Sequence, residues 1–273
     1  MREKVNGFVG VMAVAILCMV SGLCMVWGIA PVVLAVYVAA CAVCGRYMIT
    51  CIGCAAGVAA GSMGIAGLLH AYEYMIPGPA YSGVMVTEKY LVLLGLAMCL
   101  MKIVYSRNSR SYVRVIVVMS AAVLMGNIVV YADNMLMAAA YGVVEAAIFM
   151  CASVILKPGI GLLYTYICGD ASDVERDESW NISQGIVSLM ALTAVVLWVV
   201  PGEDIYGVNP AFMLALVLIL YAVYRTGAVY GCGMAAVAGS IVSVKLNDSR
   251  WLMWMLLVTL VMLIGRALTG GRE

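Results

Sequence analysis

Apolar runs long enough to approach the thickness of a lipid bilayer follow one another along almost the whole chain. A transmembrane helix needs about 20 mainly apolar residues. Ten segments approach that length, at residues 5–27, 28–44, 47–69, 88–105, 113–131, 135–156, 182–199, 209–224, 227–244 and 251–268. Inside a bilayer such a segment must satisfy its own backbone hydrogen bonds, so it folds as a helix. The sequence therefore predicts an all-α bundle of about ten transmembrane helices, forming a single transmembrane domain over residues 1–273.

The composition excludes an ordinary soluble domain. Hydrophobic residues make up 66% of the chain and charged residues 11%, and the mean hydropathy is +1.09. Soluble domains are about 45–50% apolar and about 25% charged. The net charge of +1 and the lack of a basic tract argue against a nucleic-acid partner, so the lipid bilayer is the expected environment.

The positive charges predict an orientation with both termini in the cytoplasm. With the N-terminus inside, twelve of the fifteen cations fall on the inner side: Arg2, Lys4, Arg46, Lys102, Arg107, Arg110, Arg114, Lys157, Arg176, Arg225, Arg266 and Arg272. Only Lys89, Lys245 and Arg250 fall outside. This bias follows the positive-inside rule. We assign Arg46, Arg107, Arg110, Arg114 and Arg225 to cytoplasmic ends, where they set the topology or contact partners.

The segment from Pro158 to Cys168 is apolar but too short to span a bilayer. We expect either a kinked continuation of the sixth helix or an interfacial piece, with a break at Pro158. Two loops are long enough to carry function, at residues 70–87 on the outside and residues 169–179 on the inside.

Two stripes of small residues occur at helical spacing. One stripe contains Gly227, Gly231, Ala235 and Gly239, and the other contains Gly53, Gly57 and Gly61. Small residues let two membrane helices approach closely, so that dispersion forces hold them together. We therefore predict helix-packing surfaces and a homo-oligomer.

The second and third spans echo the eighth and ninth. Pro31 and Arg46 have the same separation as Pro210 and Arg225, and each pair precedes a span with a glycine stripe. The two copies are offset by six spans, so both copies would have the same orientation. The sequence thus suggests a parallel internal repeat of the kind found in several transporters.

Glu145 is the principal candidate for a functional residue within a span. A carboxyl group at that depth costs several kcal/mol unless it is paired, hydrated or protonated. Two interpretations stay open. The carboxyl group either fixes packing through a hydrogen bond to a neighbouring helix or couples transport to a proton or solute.

No pattern of residues indicates a metal, a cofactor or a catalytic nucleophile. Cys41 and Cys44, like Cys51 and Cys54, have the spacing of a metal or redox pair, but they lie in apolar runs and are interpreted as packing residues. His70 is the single histidine and has no ligand partner at the usual spacing. We expect no cofactor and no metal site.

Several features in succession resemble a known family. They are the Ala30-Pro31 span, the Gly53, Gly57 and Gly61 helix, YGVVEAAIFMCASVIL around Glu145, DVERDESWNISQGIVSLMAL, and RTGAVYGCGMAAVAGSIVSV. Their order resembles the ten-span membrane region of the stage II sporulation protein E family. This resemblance implies a membrane anchor in a bacterial plasma membrane, with cytoplasmic division or sporulation proteins as partners.

In that family the membrane region precedes a metal-dependent serine phosphatase domain. These 273 residues contain no group of aspartates that could converge on divalent metals, so we expect no enzyme activity. Two functions are therefore considered. The first is a non-enzymatic anchor, localisation and self-association module linked to spore formation. The second is a small secondary transporter or channel-like protein with Glu145 as its coupling residue.

Overall fold

A computed structural model of the chain describes residues 2–23, 31–63, 83–104, 109–132, 134–168, 182–200 and 209–268. Side chains are described for most of these positions, and those of residues 2–8, 61–63, 83–86, 109, 166, 168, 182–183, 225–226, 229 and 267–268 are not. The described residues form helices α1 (Arg2–Leu23), α2 (Pro31–Cys44), α3 (Tyr47–Met63), α4 (Gly83–Ile103), α5 (Ser109–Val130), α6 (Met135–Cys168), α7 (Ile182–Val199), α8 (Pro210–Thr226), α9 (Ala228–Leu246) and α10 (Arg250–Leu268).

The all-α fold is confirmed, since these ranges contain ten helices and no strand. Each helix lies on one of the ten predicted segments, and among the described residues the boundaries differ most at the start of α4 and the end of α6. Helix α4 begins at Gly83, earlier than residue 88, because the apolar residues before Lys89 extend it. Residues 70–82 of the predicted outer loop and residues 169–179 of the inner loop lie outside the described part of the chain.

Helix α6 continues through Pro158 to Cys168, so the short apolar segment is a continuation of this helix and the backbone does not leave the helix at the proline. Proline lacks an N–H group and disturbs the preceding turn. Here the next amide, Gly159 N–H, donates to Ser188 Oγ at 2.5 Å. The hydroxyl of α7 therefore supports α6 at the point where the proline weakens it.

Two described helices are long and apolar enough to cross a membrane, at Arg110–Val130 in α5 and Met135–Thr165 in α6. Only 33% and 28% of their apolar windows are buried inside the protein, so most of these apolar surfaces face outward. With 34 residues, α6 is about 50 Å long, well beyond an apolar bilayer core of about 30 Å. That all ten segments cross the membrane stays a prediction.

The chain divides into two compact units, Met1–Ser188 and Leu189–Glu273. In the first unit α1 packs on α3, α2 packs on α6, and α5 packs on α4 and α6. A β-carbon added at Gly22 would lie 2.6 Å from the backbone carbon of Gly57, so α1 and α3 are in backbone contact there. This division describes only which residues pack compactly together. The single transmembrane domain over residues 1–273 stays a prediction.

In the second unit α8, α9 and α10 pack on one another around Ile219, Ala235 and Met255. Helix α8 begins with Pro210 after Asn209, whose side chain accepts a hydrogen bond from Phe212 N–H. This arrangement is a favourable helix start, since proline needs no partner at the first position and the Asn209 side chain caps a free amide.

The two hairpins that echo each other in sequence share one backbone feature. Gly45 between α2 and α3 has φ 63°, and Gly227 between α8 and α9 has φ 88°. Positive φ at these positions favours glycine. Both hairpins therefore begin at a proline and turn at a glycine, although the parallel repeat itself stays a prediction.

Candidate functional site

A buried polar cluster joins three helices of the first unit. Lys89 Nζ of α4 donates to Glu145 Oε2 of α6 at 2.8 Å and to Asn127 Oδ1 of α5 at 3.1 Å. Asn127 Nδ2 donates to the same oxygen of Glu145 at 2.7 Å. The three side chains thus form a closed ring of hydrogen bonds around one ion pair.

The local sequence explains how the long lysine fits between the helices. Gly126 leaves space for it, because a β-carbon at that position would lie 3.2 Å from Lys89 Cγ and 3.3 Å from its Cδ. Asn127 Nδ2 also donates to the Val123 carbonyl one turn earlier, at 3.1 Å, which orients the amide. Helix α5 therefore both makes room for the cation and supplies it with an acceptor.

The members of the cluster differ in exposure. The Lys89 side chain is 4% exposed and Asn127 is fully buried, whereas the Glu145 side chain is 19% exposed. The cation is consequently held inside the protein, and the carboxylate reaches toward its surface. An unpaired charge at either position would be costly, so removing one partner of the pair would be strongly destabilising.

Tyr90 adds a hydroxyl to the cluster. Its side chain is fully buried, and within the described residues its hydroxyl makes no hydrogen bond. The Lys89 ammonium lies 4.7 Å from the centroid of the Tyr90 ring, so the phenol is beside the ion pair. The Tyr131 and Tyr141 rings, at the end of α5 and in α6, stack with centroids 5.2 Å apart.

The cluster lies toward one end of the helices that form it. Glu145 is about 15 Å along α6 from Met135, and Asn127 is within one turn of the end of α5 at Val130. Lys89 is in the second turn of α4. Glu145 therefore lies in the first third of the long helix α6.

The glycine stripes lie at contacts within the chain. A β-carbon on Gly53 would lie 2.7 Å from the Ala15 carbonyl oxygen, and one on Gly57 would overlap the Met19 carbonyl. Gly61 is in the same helix, and its surroundings lie outside the described part. Gly53 and Gly57 therefore pack against α1.

The second stripe behaves in the same way. Gly231 faces Val223 of α8, with a hypothetical β-carbon 2.6 Å from Cγ2, and Gly239 faces Leu252 of α10. Ala235 is fully buried in the core between these helices, and Gly227 forms the turn before α9. The described glycines of both stripes therefore pack within the chain, and the homo-oligomer stays a prediction.

Three of the arginines assigned to topology have described side chains. Arg46 is exposed between α2 and α3, and Arg110 and Arg114 are exposed near the start of α5. Arg107 and the Arg225 side chain lie outside the described part.

Sequence reasoning identified Glu145 but missed Lys89, Tyr90 and Asn127 as its partners. A signal was present, because Lys89 and Lys245 were two of the three cations that departed from the charge bias. Both are buried, and Lys245 donates to the Val200 carbonyl beyond the end of α7. A cation on the side of the membrane that the charge bias disfavours can therefore be a sign that this residue is buried and bonded inside the protein.

Within the described residues, no group of three histidine, cysteine or acidic side chains could hold a metal ion. The cysteines of the two spaced pairs are free thiols, and Cys41 Sγ lies 3.1 Å from Thr50 Oγ1.

Comparison with known proteins adds no relative. No family model, curated protein or solved structure matches the chain.

Proposed function

We propose that this chain is a non-enzymatic, membrane-embedded helical module that anchors and localises a protein assembly in a bacterial plasma membrane. The proposal includes ten transmembrane spans with both termini in the cytoplasm. It also includes the link to spore formation that is implied by the resemblance to the membrane region of the stage II sporulation protein E family.

The outward apolar surface of α5 and α6 is the observation that carries the proposal. On α5, Val113, Val117 and Val129 are more than half exposed, and on α6 so are Val143 and Val154. Apolar surface of this extent needs lipid or protein to cover it. The buried ion pair supports a structural role as well, since it ties α4, α5 and α6 together where lipid would offer no hydrogen bonds.

The topology is tested with reporter fusions at two turns. A reporter at the α8–α9 turn near Gly227 should be active on the cytoplasmic side, and one at the α9–α10 turn near Asn247 on the outer side. A fluorescent fusion of the full chain should resist extraction from membranes by alkaline carbonate and should concentrate at the division site of a sporulating bacterium. Release by carbonate, or both turns on one side, would contradict the anchor.

A second candidate function is secondary transport with Glu145 as the coupling residue. The Tyr90 hydroxyl favours it, because this buried group makes no hydrogen bond among the described residues although its ring lies beside the Lys89 ammonium, and a purely structural cluster would gain from satisfying it. Glu145→Gln separates the two functions. Transport predicts that uptake into proteoliposomes is lost while assembly persists, whereas the anchor predicts altered stability or self-association and no uptake in the wild type.

A further inference from the structure

Two hydrogen-bond donors, the Lys89 ammonium and the Asn127 amide, meet at Glu145 Oε2. The Lys89 ammonium also lies 4.7 Å from the centroid of the Tyr90 ring, and the buried Tyr90 hydroxyl makes no hydrogen bond among the described residues. An ammonium, an amide and a phenol are together a donor set suited to a carboxylate. The protein's own Glu145 occupies that position and leaves the Tyr90 hydroxyl unused.

The donors are fixed in place, and the acceptor is the more accessible member. Asn127 is oriented by Val123, and the Lys89 stem lies against Gly126. The Lys89 side chain is 4% exposed, but that of Glu145 is 19% exposed. If one group leaves the cluster, the carboxylate is the group that can do so with the least rearrangement.

Charge balance decides what can replace it. The ion pair is neutral, and a net charge in a low-dielectric site costs several kcal/mol. A proton bound alone would leave the cluster with one positive charge, and an external carboxylate bound alone would leave one negative charge. Binding both keeps the cluster neutral, since Glu145 becomes a neutral acid while Lys89 pairs with the incoming carboxylate.

Other ligand classes fit less well. A metal cation would lie beside the Lys89 ammonium that already holds this carboxylate, and the two positive charges would repel each other. A dianion would leave the cluster with a net negative charge even after one proton is bound. The planar position now filled by Glu145 suits a carboxylate better than a tetrahedral anion.

Few other titratable groups face Glu145 among the described residues. Helix α4 contributes Lys89 and Tyr90, the end of α5 contributes Tyr131, and α6 itself contributes Tyr141. On α1 and α2, which also pack on α6, the described titratable groups are engaged elsewhere or lie outside the cluster: Cys18, Tyr37, Cys41 and Cys44. One acid and one ammonium therefore account for the charge of the cluster.

We propose that the Lys89, Tyr90, Asn127 and Glu145 cluster binds a small monocarboxylate together with one proton. A hydronium ion transfers its proton to Glu145 and leaves as water, and the Lys89 ammonium, the Asn127 amide and the Tyr90 hydroxyl then donate to the ligand's carboxylate. No other bond forms or breaks, and release reverses both steps. This proposal rests on the second candidate function, for which it names the substrate class and the coupled ion.

Acetate binding to the purified full chain in detergent tests the proposal, with proton uptake followed by a pH indicator in weak buffer. In the wild type, one proton should be taken up per acetate, so the affinity should fall about tenfold for each unit of rise in pH. In Glu145→Gln the neutral amide replaces the protonated acid. This variant should bind acetate at pH 7.5 about tenfold more tightly than the wild type, without proton uptake and with little dependence on pH.

Two further variants provide the controls. Lys89→Met/Glu145→Gln lacks both charges and should not bind acetate. Tyr90→Phe removes a hydroxyl that has no partner in the unliganded protein, so it should fold normally but bind acetate about tenfold more weakly. This variant keeps the proposal testable if a charge variant does not fold, which size-exclusion chromatography and circular dichroism would reveal.

The proposal is overturned if folded Glu145→Gln binds no acetate, if Tyr90→Phe binds as the wild type does, or if the double variant binds as well as the others. Accumulation of labelled acetate in proteoliposomes is measured separately. Proton-linked binding without accumulation would support the site and contradict transport, whereas accumulation that is unaffected by Glu145→Gln and Tyr90→Phe would support transport and contradict the site.

Discussion

Lys89 and Glu145 are 56 residues apart in the chain, yet their charged atoms are 2.8 Å apart in the fold. The contact joins α4 to α6 across a cluster that also holds Asn127 of α5. Because all three side chains come from different helices, the ion pair fixes the relative rotation and depth of those helices. A shift of α6 by one residue would move Glu145 to another face of the helix.

Removing either charge of this pair should destabilise the protein more than removing both. Lys89→Met or Glu145→Gln leaves one buried charge without its partner, and we expect each to lower the free energy of unfolding by about 3 kcal/mol. In Lys89→Met/Glu145→Gln no charge is left unpaired, so part of the loss should be recovered. Unfolding by a denaturing detergent in mixed micelles, followed by circular dichroism, measures all three variants.

If the double variant were destabilised by the sum of the two single losses, the two side chains would be energetically independent. That result would contradict the ion pair. Lys102→Met is the matched control, because this lysine is exposed in the last turn of the same helix α4. It should change stability by about 0.5 kcal/mol or less.

The contact between α1 and α3 should depend on Gly57. A β-carbon there would overlap the Met19 carbonyl oxygen, which is backbone and cannot move without shifting the helix. We expect Gly57→Ala to lower the free energy of unfolding by about 2 kcal/mol. Gly95→Ala in α4 is the control, since no atom lies within 4 Å of its hypothetical β-carbon. Equal stability of the two variants in the same micelle assay would show that this contact is loose.

The helices could be predicted from sequence because the apolar runs themselves define them. Small-residue spacing also indicated which positions pack closely, as Gly57 and Gly231 illustrate, but it could not identify the surface they meet. Both lie against helices of the same chain, at contacts for which the predicted packing role is sufficient. Spacing along one helix contains no information on the neighbouring helix, so the partner has to come from the three-dimensional structure.

Gly126 should act through the lysine beside it. Gly126→Ala would place a β-carbon 3.2 Å from Lys89 Cγ, which moves the ammonium away from Glu145. We expect a loss of about 1 kcal/mol in the wild type and a smaller loss in a Lys89→Ala background, where no long side chain has to move. A thermodynamic cycle over the four proteins measures the difference. The same loss in both backgrounds would show that the alanine destabilises the protein without acting through Lys89.

The candidate site could be predicted only in part. A carboxylate within an apolar run drew attention to Glu145, because its charge is costly there. Lys89 lies near the start of an apolar segment, where a solvated lysine is ordinary, and Asn127 is one amide among apolar residues. Each is unremarkable alone, and their convergence depends on how α4, α5 and α6 are rotated about their axes. Hydropathy does not determine that rotation.

Ser188 should stabilise α6 at its proline. The Gly159 amide, directly after Pro158, donates to the Ser188 hydroxyl, and Ser188→Ala removes this acceptor from a buried amide. We expect the free energy of unfolding to fall by about 1 kcal/mol and the Gly159 amide to exchange faster with deuterium.

Ser153→Ala in α6, the helix that contains Gly159, provides the matched control. Its hydroxyl only donates back to the Phe149 carbonyl one turn earlier, so its removal leaves no amide unsatisfied. Helix α6 runs for 34 residues through a proline. Equal exchange at Gly159 in both variants would contradict the prediction, because it would show that the backbone hydrogen bonds of α6 alone stabilise the turn at Pro158.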